Sequence, residues 1–168
     1  MPDVDTLIAR LDRWLAANRP DYYALLQRGA TDAQLDAFDA RFSLRLPDAF
    51  RQLYRWRDGQ NRRSFEPLYL NRTFSTLEDI ADTKELLDDL IGSDFDDPTY
   101  WRLGWVPFLH NGGGSHLCLD LAAEDRGTPG QLIGFWKADQ DRPIEHPNLE
   151  SWLEKLVSSM EDGSLELA

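Results

Sequence analysis

The chain has 168 residues with a formal net charge of −12 and a pI near 4.6, a length that suits one domain and a charge that argues against a sequence-independent nucleic-acid binder, which needs a positive footprint. Six Trp, five Tyr and eight Phe within 42% hydrophobic residues supply a core and exclude global disorder. A single cysteine, Cys118, rules out an internal disulfide and a four-thiolate or CxxC metal site.

Val4, Leu7, Ile8, Leu11, Trp14 and Leu15 recur at helical spacing and predict an amphipathic first helix over 4–18, with Pro20 at or just beyond its end. The charges among its first residues (Asp3, Asp5, Arg10, Asp12, Arg13) lack the basic-then-apolar order of a secretory signal. No apolar run approaches a membrane span of about 20 residues. The expected location is the cytoplasm. Residues 21–30 read as a connector whose Tyr22, Tyr23, Leu25 and Leu26 pack over the core.

Thr31 with Gln34 is a capping-box pattern opening a second helix, with Leu35, Phe38 and Phe42 on one face. LPDAFRQLYRWRDGQ (46–60) follows as a tightly bounded helix. Pro47 suits the first helical position, Phe50, Leu53, Tyr54 and Arg57 share a face, and Gly59 sits where a left-handed cap would end it. Residues 65–74 look strand-like and are broken near Asn71. Ser75 with Glu78 suggests a further capping box, leading a helix to about Leu90 with a buried stripe of Leu77, Ile80, Leu87 and Ile91.

A loop over 92–103 precedes strands near 105–109, 116–121 and 131–136. Pro143 and Pro147 frame a final loop. Asn148 caps a last helix bearing Leu149, Trp152, Leu153, Leu156, Val157 and Met160, and a frayed tail is expected from Glu161. Short strand links favour antiparallel pairing. The expected fold is therefore α+β: one domain over 1–168, with a mainly antiparallel curved sheet flanked by helices.

The order of these pieces resembles the SUKH superfamily, the Smi/Knr-like proteins. The resemblance covers about 31–158, with the 4–18 helix packed on that region. It rests on TDAQLDAFDARFSLRLPDAFRQLYRWRDGQ, on a W-x-P strand (Trp105-Val106-Pro107), and on a glycine turn into an L-x-L-D strand (Leu117 to Asp120). A G-x-(I/V) strand (Gly130 to Ile133) and a W-L step in the last helix (Trp152-Leu153) complete it. It implies an α+β fold, usually no catalytic residues and no cofactor. Many bacterial members resemble immunity proteins that neutralise a partner toxin. Fungal members resemble scaffolds that regulate cell-wall synthesis.

Charge is unevenly distributed. Glu78, Asp79, Asp82, Glu85, Asp88, Asp89, Asp94, Asp96 and Asp97 stand against Lys84 alone, so residues 78–97 carry −8. Asp82, Glu85 and Asp89 are spaced to share one helix face, where like charges repel. A basic partner would relieve that repulsion and be steered by it, whereas the plain alternative is a solvated face that keeps an acidic protein soluble. The D-x-D-D spacing of Asp94, Asp96 and Asp97 lacks a full calcium-loop pattern. Residues 41–63 carry +5, seven arginines against Asp48 and Asp58. These would pair with the acidic helix or form a second contact surface.

The catalytic signals are weak. Asn111-Gly112-Gly113-Gly114-Ser115-His116 lacks the GK[ST] ending of a phosphate loop and reads as a hairpin turn. His116 and Cys118 would share a strand face, but Cys118 lies in the apolar run LCL of a core strand. His110, His116 and His146 show no zinc-site spacing, Asp120 reads as a turn former, and Trp101, Trp105, Trp136 and Trp152 as core and rim aromatics.

The expectation is a non-enzymatic immunity protein that binds a toxin with a basic surface through Asp82, Glu85, Asp88, Asp89, Asp94, Asp96 and Asp97. Neither direct nucleic-acid nor membrane contact is expected. The alternative is an intracellular scaffold or regulator of the Smi/Knr type.

Overall fold

In the computed structural model, which describes residues 2–168, helix α1 spans Val4–Asn18. The Asp3 carboxylate caps it by accepting the Thr6 N–H at 2.8 Å, and Leu7, Ile8, Leu11 and Leu15 are buried. Pro20 opens a short helix, α2 (Pro20–Tyr23), where its missing N–H costs nothing. Helix α3 (Asp32–Phe42) carries the expected capping box, with Thr31 and Gln34 bonding in both directions. Helix α4 runs Asp48–Trp56. Pro47 is its cap rather than its first residue, and Arg57, in an extended conformation, ends it.

Gly59 does adopt a left-handed φ of +68°, but two residues beyond that cap. There it lies against the backbone of Ser75 and Thr76, which a Cβ would approach within 2.5 Å. Its place is therefore set by a close chain crossing as well as by the helix end.

Five strands form an open antiparallel meander in chain order: β1 (Thr73–Phe74), β2 (Trp105–His110), β3 (His116–Asp120), β4 (Gln131–Phe135) and β5 (Ile144–His146). The α+β antiparallel expectation holds. Strand β5 lies where a loop was expected. It is three residues long, pairs with β4 through an irregular register and shows no alternation from which to read it. Only Thr73–Phe74 of 65–74 is strand, because Leu70 and Asn71 adopt positive φ (45° and 57°) and turn the chain. The tail is also tied down rather than frayed: Leu70 and Asn71 donate their N–H groups to the carbonyls of Glu166 (2.8 Å) and Leu167 (2.6 Å).

Helix α5 spans Leu77–Asp89. Thr76, not Ser75, caps it, since the Ser75 N–H already bonds the Phe108 carbonyl. Its buried face is Leu77, Ile80, Ala81 and Lys84, whereas Leu87 is only partly buried and Ile91 is exposed.

The sheet separates two cores. Val106, Phe108, Leu117, Leu119 and Leu132 join the large one with residues of α1, α4 and the last helix, α6 (Leu149–Glu161). Trp105, Cys118, Ile133 and Phe135 face the other side, where Trp101 completes a smaller aromatic core. The period of two makes this division along β3 and β4; in β2 the irregular register between Pro107 and Leu109 interrupts it, and Leu109 joins the large core beside Phe108.

Candidate interaction surface

Helix α5 and the loop after it carry every acidic residue expected to meet a partner, and the structure sorts them into three groups. Asp82, Glu85 and Asp89 lie exposed along α5. Asp94, Asp96 and Asp97 lie exposed on the following loop, where Asp97 caps a turn by accepting the Thr99 N–H and hydroxyl. Those two bonds hold the Asp97 carboxyl below its usual range. Asp88 points inward, accepting hydrogen bonds from the Lys84 ammonium (3.2 Å) and the Trp101 indole (2.8 Å).

Lys84 is the feature that charge counting hid. Its side chain is 0% exposed, it donates to the Leu103 carbonyl at 2.5 Å as well as to Asp88, and burial lowers its pKa against the pull of Asp88. Three apolar positions on the buried face (Leu77, Ile80, Ala81) precede it at helical spacing. That spacing was the one available signal, since a lysine at the next position of a buried stripe snorkels or finds a partner.

Repulsion along α5 is answered from within the molecule. Arg62 bonds Asp79 (2.8 Å) and lies 3.2 Å from Glu78 and 3.7 Å from Asp82, and Arg41 pairs with Glu85. Bonding to Asp79 raises the Arg62 pKa. Arg51 bonds Asp36 and Asp39, and Arg55 bonds Asp32. The arginine-rich segment 41–63 is thus largely spent on its neighbours. Asp89, Asp94 and Asp96 have no ion-pair partner among the described residues. Beside them stand two apolar side chains that periodicity gave no reason to expect in water, Leu86 and Leu103, each 62% exposed.

The other polar signals resolve structurally. Asn111 accepts the N–H groups of Gly113 (2.8 Å) and Ser115 (3.2 Å), closing the glycine hairpin turn. Burial pushes the Cys118 thiol well above its ordinary pKa, and His116 makes no hydrogen bond to it. Asp120 accepts from Ala123 N–H and the Gln131 amide, both at 2.9 Å, holding the turn after β3. Among the described residues no three His, Cys, Asp or Glu side chains are grouped as a metal site, and no helix is long and apolar enough to cross a membrane.

The family model described as the SMI1 / KNR4 family (SUKH-1) matches residues 29–155. The chain belongs to this family. Among curated SMI1/KNR4 relatives, the chain is 25% identical to "KNR4/SMI1 homolog 2" of Debaryomyces hansenii, over 99% of its own length. It is 25% identical over 96% of its length to "Cell wall biosynthesis/cell cycle regulator smi1" of Schizosaccharomyces pombe. It is 22% identical over 92% of its length to "Glucan synthesis regulatory protein" of Neurospora crassa. The matched region is 37% of each of these relatives, so the chain spans little more than a third of their length.

Proposed function

We propose that this SMI1/KNR4 chain is a non-catalytic scaffold or regulator that acts in the cytoplasm by binding another protein, and that the strip of Asp82, Glu85, Asp89, Asp94, Asp96 and Asp97 meets a basic surface on it. The names of two relatives, a cell wall biosynthesis/cell cycle regulator and a glucan synthesis regulatory protein, carry this reading and favour it over neutralisation of a toxin. The exposed and unpaired acids flanked by Leu86 and Leu103 supply steering and anchors for such a contact. Asp88 contributes indirectly, by holding Lys84 and Trp101 beneath the strip.

The test is capture of partners from the native host with the wild-type chain and with the triple variant Asp82→Lys, Glu85→Lys, Asp89→Lys. The expected result is a basic regulatory or cell-wall protein whose association slows in the variant and whose rate loses its salt dependence, while the unfolding midpoint is retained. Recovery of a toxin domain would return the chain to the immunity class. A partner bound equally well by the triple variant would move the interface off α5.

A further inference from the structure

At the end of the sheet remote from Lys84, three turns converge on a cavity of about 150 Å³. Asn71 and Arg72 come from the turn before β1, Asn111 and Ser115 from the glycine hairpin, His116 from the start of β3, and Trp136 from the residue after β4. We propose that this cavity binds one neutral pyranose unit of a saccharide, with Trp136 under the ring and Asn71, Asn111 and His116 bonding its hydroxyls.

The site is built to be uncharged. The Arg72 side chain is only 7% exposed and forks onto Glu145 with bonds of 3.0 and 2.9 Å, so its charge is already matched. Gly134 makes room for this pair: a Cβ there would run into the Glu145 carboxylate and the Trp136 indole nitrogen. Burial, together with nearby His110, lowers the His116 pKa to about 4, so its imidazole is neutral at pH 7.

The site is also rich in unused hydrogen-bonding capacity. Neither ring nitrogen of His116 has a hydrogen-bond partner among the described residues, nor does the side-chain amide of Asn71. The Oδ1 of Asn111 serves the hairpin turn and leaves its NH₂ group unengaged. Asn71 is fixed at φ 57° by the tail, through its bond to the Leu167 carbonyl. Trp136 remains 40% exposed although the Arg72 guanidinium lies 5.6 Å from its centroid.

These features select a ligand class. An anion would find the one cation already paired, and an apolar ligand would strand two amides and an imidazole without partners. A sugar ring offers hydroxyls that donate and accept around its edge and a C–H face that packs on an indole. A cavity near 150 Å³ accommodates one six-membered ring. The inference is independent of the α5 surface.

The experiment is an amide and indole NMR titration of the whole chain with cellotriose, laminaritriose, mannotriose and chitotriose, each to about 10 mM, a range that covers weak single-ring binding. Inorganic phosphate and a proline-rich peptide serve as competing ligand classes. The expected result is saturable movement of the Trp136 indole N–H and the Asn111 side-chain amide with at least one trisaccharide. Trp136→Ala, a change at a partly exposed position, should weaken that binding about tenfold with the spectrum otherwise intact. The triple lysine variant of α5 should bind the sugar normally, which separates this site from the protein-contact surface. Absence of shifts with all four sugars, equal binding by Trp136→Ala, or a stronger response to the phosphate or the peptide would overturn the proposal.

Discussion

The two faces of the sheet are closed by opposite means. On one face, helices α1, α4 and α6 lay aliphatic and aromatic side chains over β2–β4. Phe108 stands edge-on to Phe50 (6.0 Å) and to Trp152 (5.4 Å), and Arg72, already paired with Glu145, borders this core at the Tyr69 hydroxyl. On the other face the cover is the end of α5, whose Leu87 packs on the smaller core, together with the loop after it. Trp101, Trp105 and Phe135 pack edge-to-face beneath the loop after α5, and two cations clamp that loop. Lys84 grips the Leu103 carbonyl. Arg142 lies 4.3 Å from the Phe135 ring centroid and donates to the carbonyls of Tyr100 (3.1 and 3.2 Å), Asp139 (2.7 Å) and Asp141 (2.8 Å). A face too small to hold a loop by apolar area alone is ordered by charged donors satisfied on backbone oxygens, so its stability rests on a few bonds rather than on many contacts.

Removing one member from each face tests that contrast. Phe108→Ala should cost about 3–5 kcal/mol in urea unfolding and lower every probe together, because the cavity opens in the shared core. Lys84→Ala should cost about 3 kcal/mol, since it leaves the Asp88 carboxylate without its cation, held by the Trp101 N–H alone, and the Leu103 carbonyl without its side-chain donor. Its hydrogen-exchange signature should be confined to residues 90–104 and the Trp101 indole. Lys84→Met combined with Asp88→Asn should recover part of the loss, because Asn still accepts the Trp101 N–H. If Lys84→Ala loosens β2–β4 as evenly as Phe108→Ala does, the two faces are one cooperative unit and the distinction fails.

The helix-covered face was legible in the chain because period 3.6 marked α1, α3, α4 and α6, and period 2 marked β2–β4. The loop-covered face was not. Its clamps are single residues, Lys84 and Arg142, whose partners are carbonyl oxygens that no side-chain pattern reveals. Asp88 looked like one more surface acid and is half of a buried pair. Ile91 continued the stripe of α5 by spacing, yet the helix ends at Asp89 and the chain turns away, while Leu87 leaves the large core for the smaller one. Strand β5 and the tail are held by backbone bonds to β4 and to Leu70–Asn71, which carry no sequence signature. The acidic strip was visible as composition. The pairing of part of it with Arg41 and Arg62 was one of two arrangements the sequence allowed, and the apolar neighbours Leu86 and Leu103 needed coordinates.

The smaller effect is a pH dependence led by His116, on the loop-covered side. His110, His116 and His146 all have pKa values lowered chiefly by burial, His116 to about 4. The unfolded chain therefore binds more protons than the folded one between about pH 6.5 and 4, and stability must fall as pH drops through that window. The His116 shift sets a ceiling of roughly 3 kcal/mol, and access of water to the cavity beside it reduces the expected loss to about 1–2 kcal/mol. Between pH 6.5 and 5 most carboxylates stay ionised, so the slope there reports chiefly the histidines. His116→Gln keeps a polar side chain and removes the titration. Its unfolding free energy should be flatter across that interval than the wild type's, while Phe108→Ala should be lower at every pH with an unchanged slope. A wild-type slope that survives His116→Gln intact would assign the proton uptake to His110 and His146, and would mean that the cavity end of the sheet stays open enough to charge its imidazole without cost.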